Sequence, residues 1–389
     1  MVLSLFALSA GPISFAQGPK EIIIGGTISK TGRFAGEVAP FDKLAYNWAK
    51  VINEAGGIFM KEYGRRLPLR FVYYDDRSDS ETAVKLYERL VTLDKVHLLI
   101  GPYSSPLTIR VSTVAEKYKI PMITAEANSD KIFQRGFKWI FGVIDSGMVW
   151  SNHYFDMIKK EGKAKTMALI IQDHPHALDV GLGARKDAKR IGLKLVFDKI
   201  YSPKITDFSA AITAIKSLNP DILFISSYPA FGINFMKQAK ELGLRPREFH
   251  LIHAVKAATD ALGMDAEYIT GEHFWAEGLT MGDVATYKKI LAMTGISHLD
   301  FPWSAIRMQA YDALKAALES AGSVDRDKLR GALAGLKYET LCGTNSFNAK
   351  GQGRCNTWTQ QYLNGRFWTI WPAEVAQKKH VYPTPWDKR

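Results

Sequence analysis

Two serine pairs stand where this chain could bind an anion. Residues 97–100, His-Leu-Leu-Ile, are a short apolar run that stops at Gly101-Pro102. Ser104 and Ser105 then open a segment, 106–118, that is apolar at helical spacing. A strand that breaks into serines at a helix start gathers backbone N–H groups and hydroxyls at one point. That is an anion site, most simply for a carboxylate. The plainer role of such serines is to cap the helix. The rhythm recurs: a buried run at 221–225 ends in Ser226-Ser227-Tyr228-Pro229, a helix follows over 231–242, and a strand over 249–253. The first copy likewise continues into a strand over 122–125. Two such units predict two similar lobes. Open α/β sheets take ligands beyond the carboxyl ends of their strands, so the two sets of loops would share one cleft.

Groups for catalysis are scarce. The sequence has no Gly-x-Ser-x-Gly elbow, Walker A loop, His-Glu-x-x-His or dinucleotide fingerprint after a strand. Asp173-His174-Pro175-His176 could begin a metal site, as in an exported metal-dependent hydrolase. No third or fourth ligand accompanies it, and the plain reading is a strand-end loop whose histidines line a pocket or face solvent. No metal or cofactor is expected.

The elements that must position these loops alternate. Strands are predicted over 21–27, 67–74, 139–144, 166–172 and 193–200, and helices over 37–55, 80–94, 150–160, 180–191 and 208–218. The segment 127–135 reads as irregular. This βαβα order predicts an α/β fold with parallel sheets covered by helices on both faces. After about 278 the pattern turns helical, over 286–293, 303–321 and 326–336. An antiparallel hairpin over 359–371 turns at Asn364-Gly365. The tail, 373–389, carries Pro383 and Pro385 and is expected to run over the surface.

The chain has 389 residues, enough for two domains, and a net charge of +12. Its Lys and Arg residues are scattered and form no nucleic-acid-binding motif, so a basic solvated surface is expected and no nucleic-acid partner. Residues 2–16 are apolar, and Ser14-Phe15-Ala16 resembles a signal-peptidase site, although a basic leader is missing. Export with cleavage near Ala16, into the periplasm, is the expectation. No Cys near the start offers a lipid anchor. Cys342 and Cys355 bracket a turn-rich hairpin and, in an exported chain, are expected to pair.

Several short motifs occur in one order: Ile24-Gly25 with Ser29-Lys30-Thr31-Gly32, Asn53-Glu54-Ala55-Gly56-Gly57-Ile58, Tyr74-Asp75-Asp76, Gly101-Pro102-Tyr103-Ser104-Ser105, Pro121-Met122-Ile123-Thr124-Ala125, Thr206-Asp207-Phe208, and the stretch from Gly343 through Phe347 to Gly351. Over 21–371 the chain thereby resembles the periplasmic leucine/isoleucine/valine-binding family, the solute receptors of branched-chain amino-acid ABC importers. The resemblance implies two Rossmann-like lobes joined by three crossovers, with the ligand cleft between them. Lobe 1 would be 20–142 plus 278–343 and lobe 2 143–277 plus 344–372, with crossings near 141–144, 278 and 341–347. It implies a monomer that closes on a hinge and delivers ligand to a membrane permease.

Carried over by position, Ser104 or Ser105 with Ala125, Ala127 and Asn128 would hold a ligand carboxylate. Phe34 and Tyr228 fall near family aromatic contacts, and Tyr103 and Trp275 are further candidate walls. Two positions depart from the family. His176 stands where a Tyr is common. His253 stands where amino-acid receptors carry the Glu that pairs the ligand ammonium. A buried ammonium needs a carboxylate, whereas an imidazole suits a hydroxyl, a ketone or a second acid. The expected ligand is therefore a small organic acid, aromatic or otherwise, without an α-amino group. An amino-acid receptor is the alternative, with a nearby acid such as Asp260 or Glu272 supplying the charge.

Overall fold

The computed structural model describes residues 18–355 and 357–386; the expected signal peptide, 1–16, lies outside them. Two sheets carry the fold. The first runs Leu69–Asp75, Ile22–Ile28, Leu98–Ile100, Met122–Thr124, Ile140–Gly142 from edge to edge, all parallel. The second runs Lys194–Tyr201, Thr166–Gln172, Ile222–Ser226, Glu248–Leu251, Thr270–His273, again parallel. It then continues antiparallel through Trp358–Leu363 and Arg366–Trp371. In both sheets the five parallel strands follow the order 2-1-3-4-5, the doubly wound order whose switch point lies between strands 1 and 3. The α/β fold with two Rossmann-like lobes is thus the observed one.

The chain leaves the first sheet after Ile140–Gly142 and comes back after Thr270–His273. Helices Val284–Thr294, Ser304–Ala321 and Arg326–Ala334 then pack on the first lobe. The final hairpin joins the second sheet. The first and third passages between lobes are laced together: Gly142 N–H donates to Gly351 at 2.8 Å, Gly353 N–H donates to Gly142 at 2.6 Å, and Asn345 Nδ2 donates to Val143 at 2.8 Å. Cys342 and Cys355 are disulfide-bonded beside this crossing, and Gln309 Nε2 donates to both sulfurs at 2.7 and 3.0 Å. The associated hairpin is Lys337–Thr340 with Gly343–Ser346, so Cys342 sits at its tip and the bridge does not enclose it.

Three expectations are corrected. The helix over 37–55 is two pieces, Ala35–Val38 and Phe41–Glu54, parted at Pro40. Proline has no N–H to carry the ladder across, and the break leaves Glu37 buried. The segment 127–135 contains a short helix, Asp130–Phe133. The tail does not wander up to its last described residue. Thr384 N–H donates to Arg247 at 2.7 Å, Trp386 Nε1 donates to Pro246 at 2.8 Å, and His380 is buried between Glu161 and Glu248.

Candidate functional site

The cleft is built at the switch point of both sheets. Beyond strand 1 of the first lobe, Asp76 accepts from the Thr27 and Ser29 hydroxyls, each at 2.6 Å, and Ser78 Oγ accepts from Phe34 N–H at 3.1 Å. These bonds fix the loop that carries Phe34 and Glu37. Beyond strand 3, Tyr103 and Ser104 lead into helix Ser105–Tyr118, which opens with Pro106 in its first turn, where the missing N–H is harmless. In the second lobe, helix Pro175–Ile191 starts five residues before the expected position and holds His176 in its first turn. Gly183 on that helix lets the Met148 carbonyl pack so close that a Cβ would clash with it. This seats the turn Gly147–Val149 and, next to it, Trp150.

A small cavity of about 10 Å³ lies between the lobes, lined by Tyr103, Glu126, Trp150, His176, Tyr228, His253, Trp303 and Ile306. A second of similar size, about 10 Å³, is lined in part by Trp150, Asn128 and Phe274. The walls are aromatic. Phe34 packs against Tyr103 and Tyr228 at 5.2 and 5.3 Å between ring centroids. Trp150 packs edge-on against His176 at 4.7 Å and against Trp303 at 5.7 Å. His176 and His253 are stacked, 5.2 Å apart with 18° between their planes.

The polar groups of this site are only half satisfied. Glu37 Oε2 accepts from the Tyr103 hydroxyl at 2.5 Å and from Trp303 Nε1 at 3.1 Å, and lies 3.6 Å from His253 Nδ1. Its Oε1 has no protein partner, nor do Ser104 Oγ, Trp150 Nε1, His176 Nε2 and His253 Nδ1, all buried. Other buried atoms without a protein partner lie elsewhere in the molecule, among them Glu272 Oε2 and the Tyr311 hydroxyl. Burial pushes the Glu37 carboxyl up to about 7, against the pull of the Tyr103 and Trp303 donors. Burial pushes His176 down to about 3, and holds His253 well below the usual imidazole range with His176 adding to the effect. Burial thus disfavours the charged form of both imidazoles. The other acid in the wall, Glu126, is closed off by a bidentate pair with Arg307 at 2.7 and 2.6 Å. With Arg307 committed to Glu126, none of the lining residues offers an unpaired cation.

Tyr103, His176, Tyr228 and His253 are brought together as expected from the sequence, with Phe34 behind them. Ser104 does not line the cavity itself; its buried hydroxyl lies beside the phenol of Tyr228, which does. Ser105 serves the scaffold instead. Its Oγ accepts from Asn128 N–H and Ser129 N–H, both at 3.2 Å, and ties two loops together. Asn128 reaches across to the second lobe, its Oδ1 2.7 Å from His176 Nδ1. Ala125 and Ala127 are fully buried and do not line the cavity. Trp275 is elsewhere, packed on Tyr287 and His298. His174 does not join His176; it lines an outer cavity with Arg33 and Phe34. Among the described residues no group of three or more His, Cys, Asp or Glu could hold a metal.

A buried acid that was not a sequence candidate, Glu37, stands beside His253. Neither sequence candidate does so, since Asp260 pairs with Lys256 on the surface and Glu272 with His250 in the core. Glu37, Glu126, Trp150 and Trp303 were not singled out in the sequence. The only signal near them was Pro40, which ends a helix turn three residues after Glu37.

Two doubly wound lobes meeting over a buried, aromatic, partly unpaired cavity define a solute receptor. The family model described as periplasmic binding protein matches residues 21–366, and the chain belongs to this family. Its relatives include Leu/Ile/Val-binding protein homolog 3 of Brucella melitensis, 26% identical over 359 residues, which span 88% of this chain and 91% of that one. The same fold is seen in the branched-chain amino acid transporter substrate-binding protein of Streptococcus pneumoniae in complex with isoleucine (TM-score 0.75, 22% identity, covering 94% of this chain and 100% of that one). It is seen equally in an ABC-transporter solute-binding protein of R. palustris in complex with benzoate (TM-score 0.74, 19% identity, 92% and 99%). Members of the family are extracytoplasmic, bind small solutes and work with ABC-transporter permeases.

Proposed function

We propose that this protein is the monomeric receptor of an importer for a small carboxylate with a flat, apolar body, of the benzoate type, and that it carries out no chemistry on it. The observation that carries this reading is the pairing of two unpartnered buried donors, Ser104 Oγ and Trp150 Nε1, with walls made almost wholly of rings. Ser104 is the N-cap of helix Ser105–Tyr118 and makes no capping bond with its own side chain. Its hydroxyl and the helix start are therefore available to a carboxylate, and the rings to a planar body. The benzoate complex of a structural neighbour agrees with such a ligand. Segments 20–142 with 278–343, and 143–277 with 344–372, are the bodies that close on it. The mature chain begins at Gln17, a start that N-terminal sequencing of the exported protein checks.

A second reading, a branched-chain amino-acid receptor, is favoured by Glu37, an acid within reach of an ammonium, and by the isoleucine complex of another neighbour. A thermal-shift panel separates the two. A ligand that binds only the folded state raises the melting temperature by mass action. Benzoate-like and cinnamate-like acids are expected to raise it. A rise with leucine, isoleucine or valine and none with the aromatic acids overturns the first reading in favour of the second.

A further inference from the structure

Helix Ala35–Val38 follows the first strand of lobe 1, yet it packs on helix Lys256–Leu262 of lobe 2. Three residue pairs face each other across this contact. Phe34 packs on Tyr228, Gly36 stands over Ala257, and Glu37 lies 3.6 Å from His253. Gly36 is the odd member of the set. Its φ is not positive, so its own backbone does not require glycine. Among the described residues beyond its own helix, the one atom that a Cβ on Gly36 would meet is the Ala257 Cβ, at 3.3 Å. That is tighter than side chains ordinarily pack, so even a methyl group makes its neighbour give by a few tenths of an ångström. The base of the helix is tied to lobe 1. Asp75 accepts from the Lys30 and Thr31 N–H groups at 3.0 and 3.3 Å, and Ser78 Oγ donates to the Thr31 carbonyl at 2.8 Å. Pro40 parts the helix from Phe41–Glu54 on its other side. The helix is therefore a lip that moves with lobe 1 and rests on lobe 2.

We propose that Gly36 and Ala257 are positioning residues that seat this lip: their lack of bulk sets how far the lobes close, and so brings Glu37 up to His253. The proposal rests on the reading of two lobes that close as bodies, and not on which solute they take. A larger side chain at either position holds the lip off, and Phe34 and Glu37 with it. Lobe 1 taken alone has the opposite demand at residue 36, since alanine favours a helix more than glycine does. Closure and the local stability of lobe 1 thus ask for different residues at one place, and the glycine present is the one that closure needs.

The test uses the full chain with no added solute. In the double variant Gly36→Cys, Ala257→Cys the two Cβ atoms stand close to the roughly 3.5–4.5 Å that a disulfide spans, and the chain's two native cysteines are already bonded to each other. Mild oxidation is expected to close a second disulfide within one molecule, read by mass spectrometry after alkylation of free thiols, and to close none in either single variant. A double variant that keeps both thiols free overturns the proposal. If benzoate or isoleucine still raises the melting temperature of the wild type, the receptor reading stands without it. Small-angle scattering then compares the wild type with Gly36→Leu, which adds bulk with a good helix former. The radius of gyration is expected to grow in Gly36→Leu, to fall between the two in Gly36→Ala, and the urea midpoint of Gly36→Ala is expected to be no lower than that of the wild type. An unchanged radius in Gly36→Leu overturns the proposal. A lowered midpoint in Gly36→Ala also overturns it, because it marks Gly36 as a residue the fold itself requires.

Discussion

Two buried clusters of acid, histidine and aromatic ring lie in this molecule, one in the cleft and one in the second lobe under the tail. In the second lobe, Glu248 accepts from the Tyr154 hydroxyl at 2.6 Å and from Thr270 at 2.8 Å, and its other oxygen meets His380 Nε2 at 2.8 Å. His380 Nδ1 reaches Glu161 at 3.1 Å. Burial opposes the charge on His380, but Glu248 and Glu161 outweigh it and lift the imidazole to about 9. Burial likewise opposes the charge on Glu248, yet His380 holds it below the usual range. The cluster is a closed ion pair. In the cleft the same residue types are held apart from full pairing, the acid is pushed up and the histidines down. Composition alone cannot tell a clasp from a binding site. What differs is that both Glu248 oxygens are paired, whereas Glu37 Oε1 is not.

The sharpest way to test the comparison is to open the closed cluster. His380→Ala leaves Glu248 buried without its cation and is expected to destabilise the fold by about 3–5 kcal/mol, measured by urea unfolding, with ligand affinity unchanged. The pH dependence has a definite sign. A raised imidazole pKa contributes stability that is full below about 6.5 and lost as pH rises through about 9. The difference between wild type and variant should therefore shrink between those values. A constant difference, or one that grows, would break the reading of His380 as a charged clasp.

Glu37→Gln should do the opposite in the cleft. A carboxyl raised from 4.5 to about 7 contributes stability that is full below pH 4.5 and lost as pH rises through 7. Removing the charge is expected to raise the stability of the ligand-free protein above pH 7, by as much as about 3 kcal/mol, and to change little at pH 4. A loss of stability at pH 8 would show that Glu37 is a structural anion like Glu248.

Ser104→Ala removes an unpartnered hydroxyl. It should weaken carboxylate binding by roughly 1.5–3 kcal/mol, the worth of one hydrogen bond to a charge, and leave the unfolding midpoint nearly unmoved. Its neighbour gives the smallest effect and the opposite pattern. Ser105→Ala loses the tie to Asn128 and Ser129 and should reduce stability by about 1 kcal/mol. If Ser105→Ala weakens binding as much as Ser104→Ala does, the division of labour between the two serines is wrong.

Much of the fold was legible because it is written locally. The strand Thr166–Gln172 has the bounds expected from its apolar run. The last hairpin turns at Asn364 and Gly365, whose φ values of 55° and 79° are those the dipeptide favours. The serine loops lie at strand ends because an apolar run must stop where burial stops. Less was legible of the site. His176 and Tyr228 were found by their place after strands, but Trp275 has the same chemistry and packs elsewhere. The strand Thr270–His273 was missed altogether: it carries buried Thr270 and Glu272, polar residues that read as loop until His250 and Tyr154 are seen against them.

What the sequence determined by itself is the repeated unit of strand, serine pair and helix, and hence the expectation of two similar lobes sharing one cleft. Periodicity and chain breaks are local properties, and they fix elements and their ends. Tertiary structure alone decided which polar groups are spent and which are free. Glu37 meets Tyr103 and Trp303 across 66 and 266 residues of chain, and the partners that satisfy Ser105 come from a different loop than its own. A side chain's free energy in a protein interior depends on what surrounds it in space, so a buried acid, a buried histidine and an unpaired hydroxyl became visible only once the two lobes were brought together.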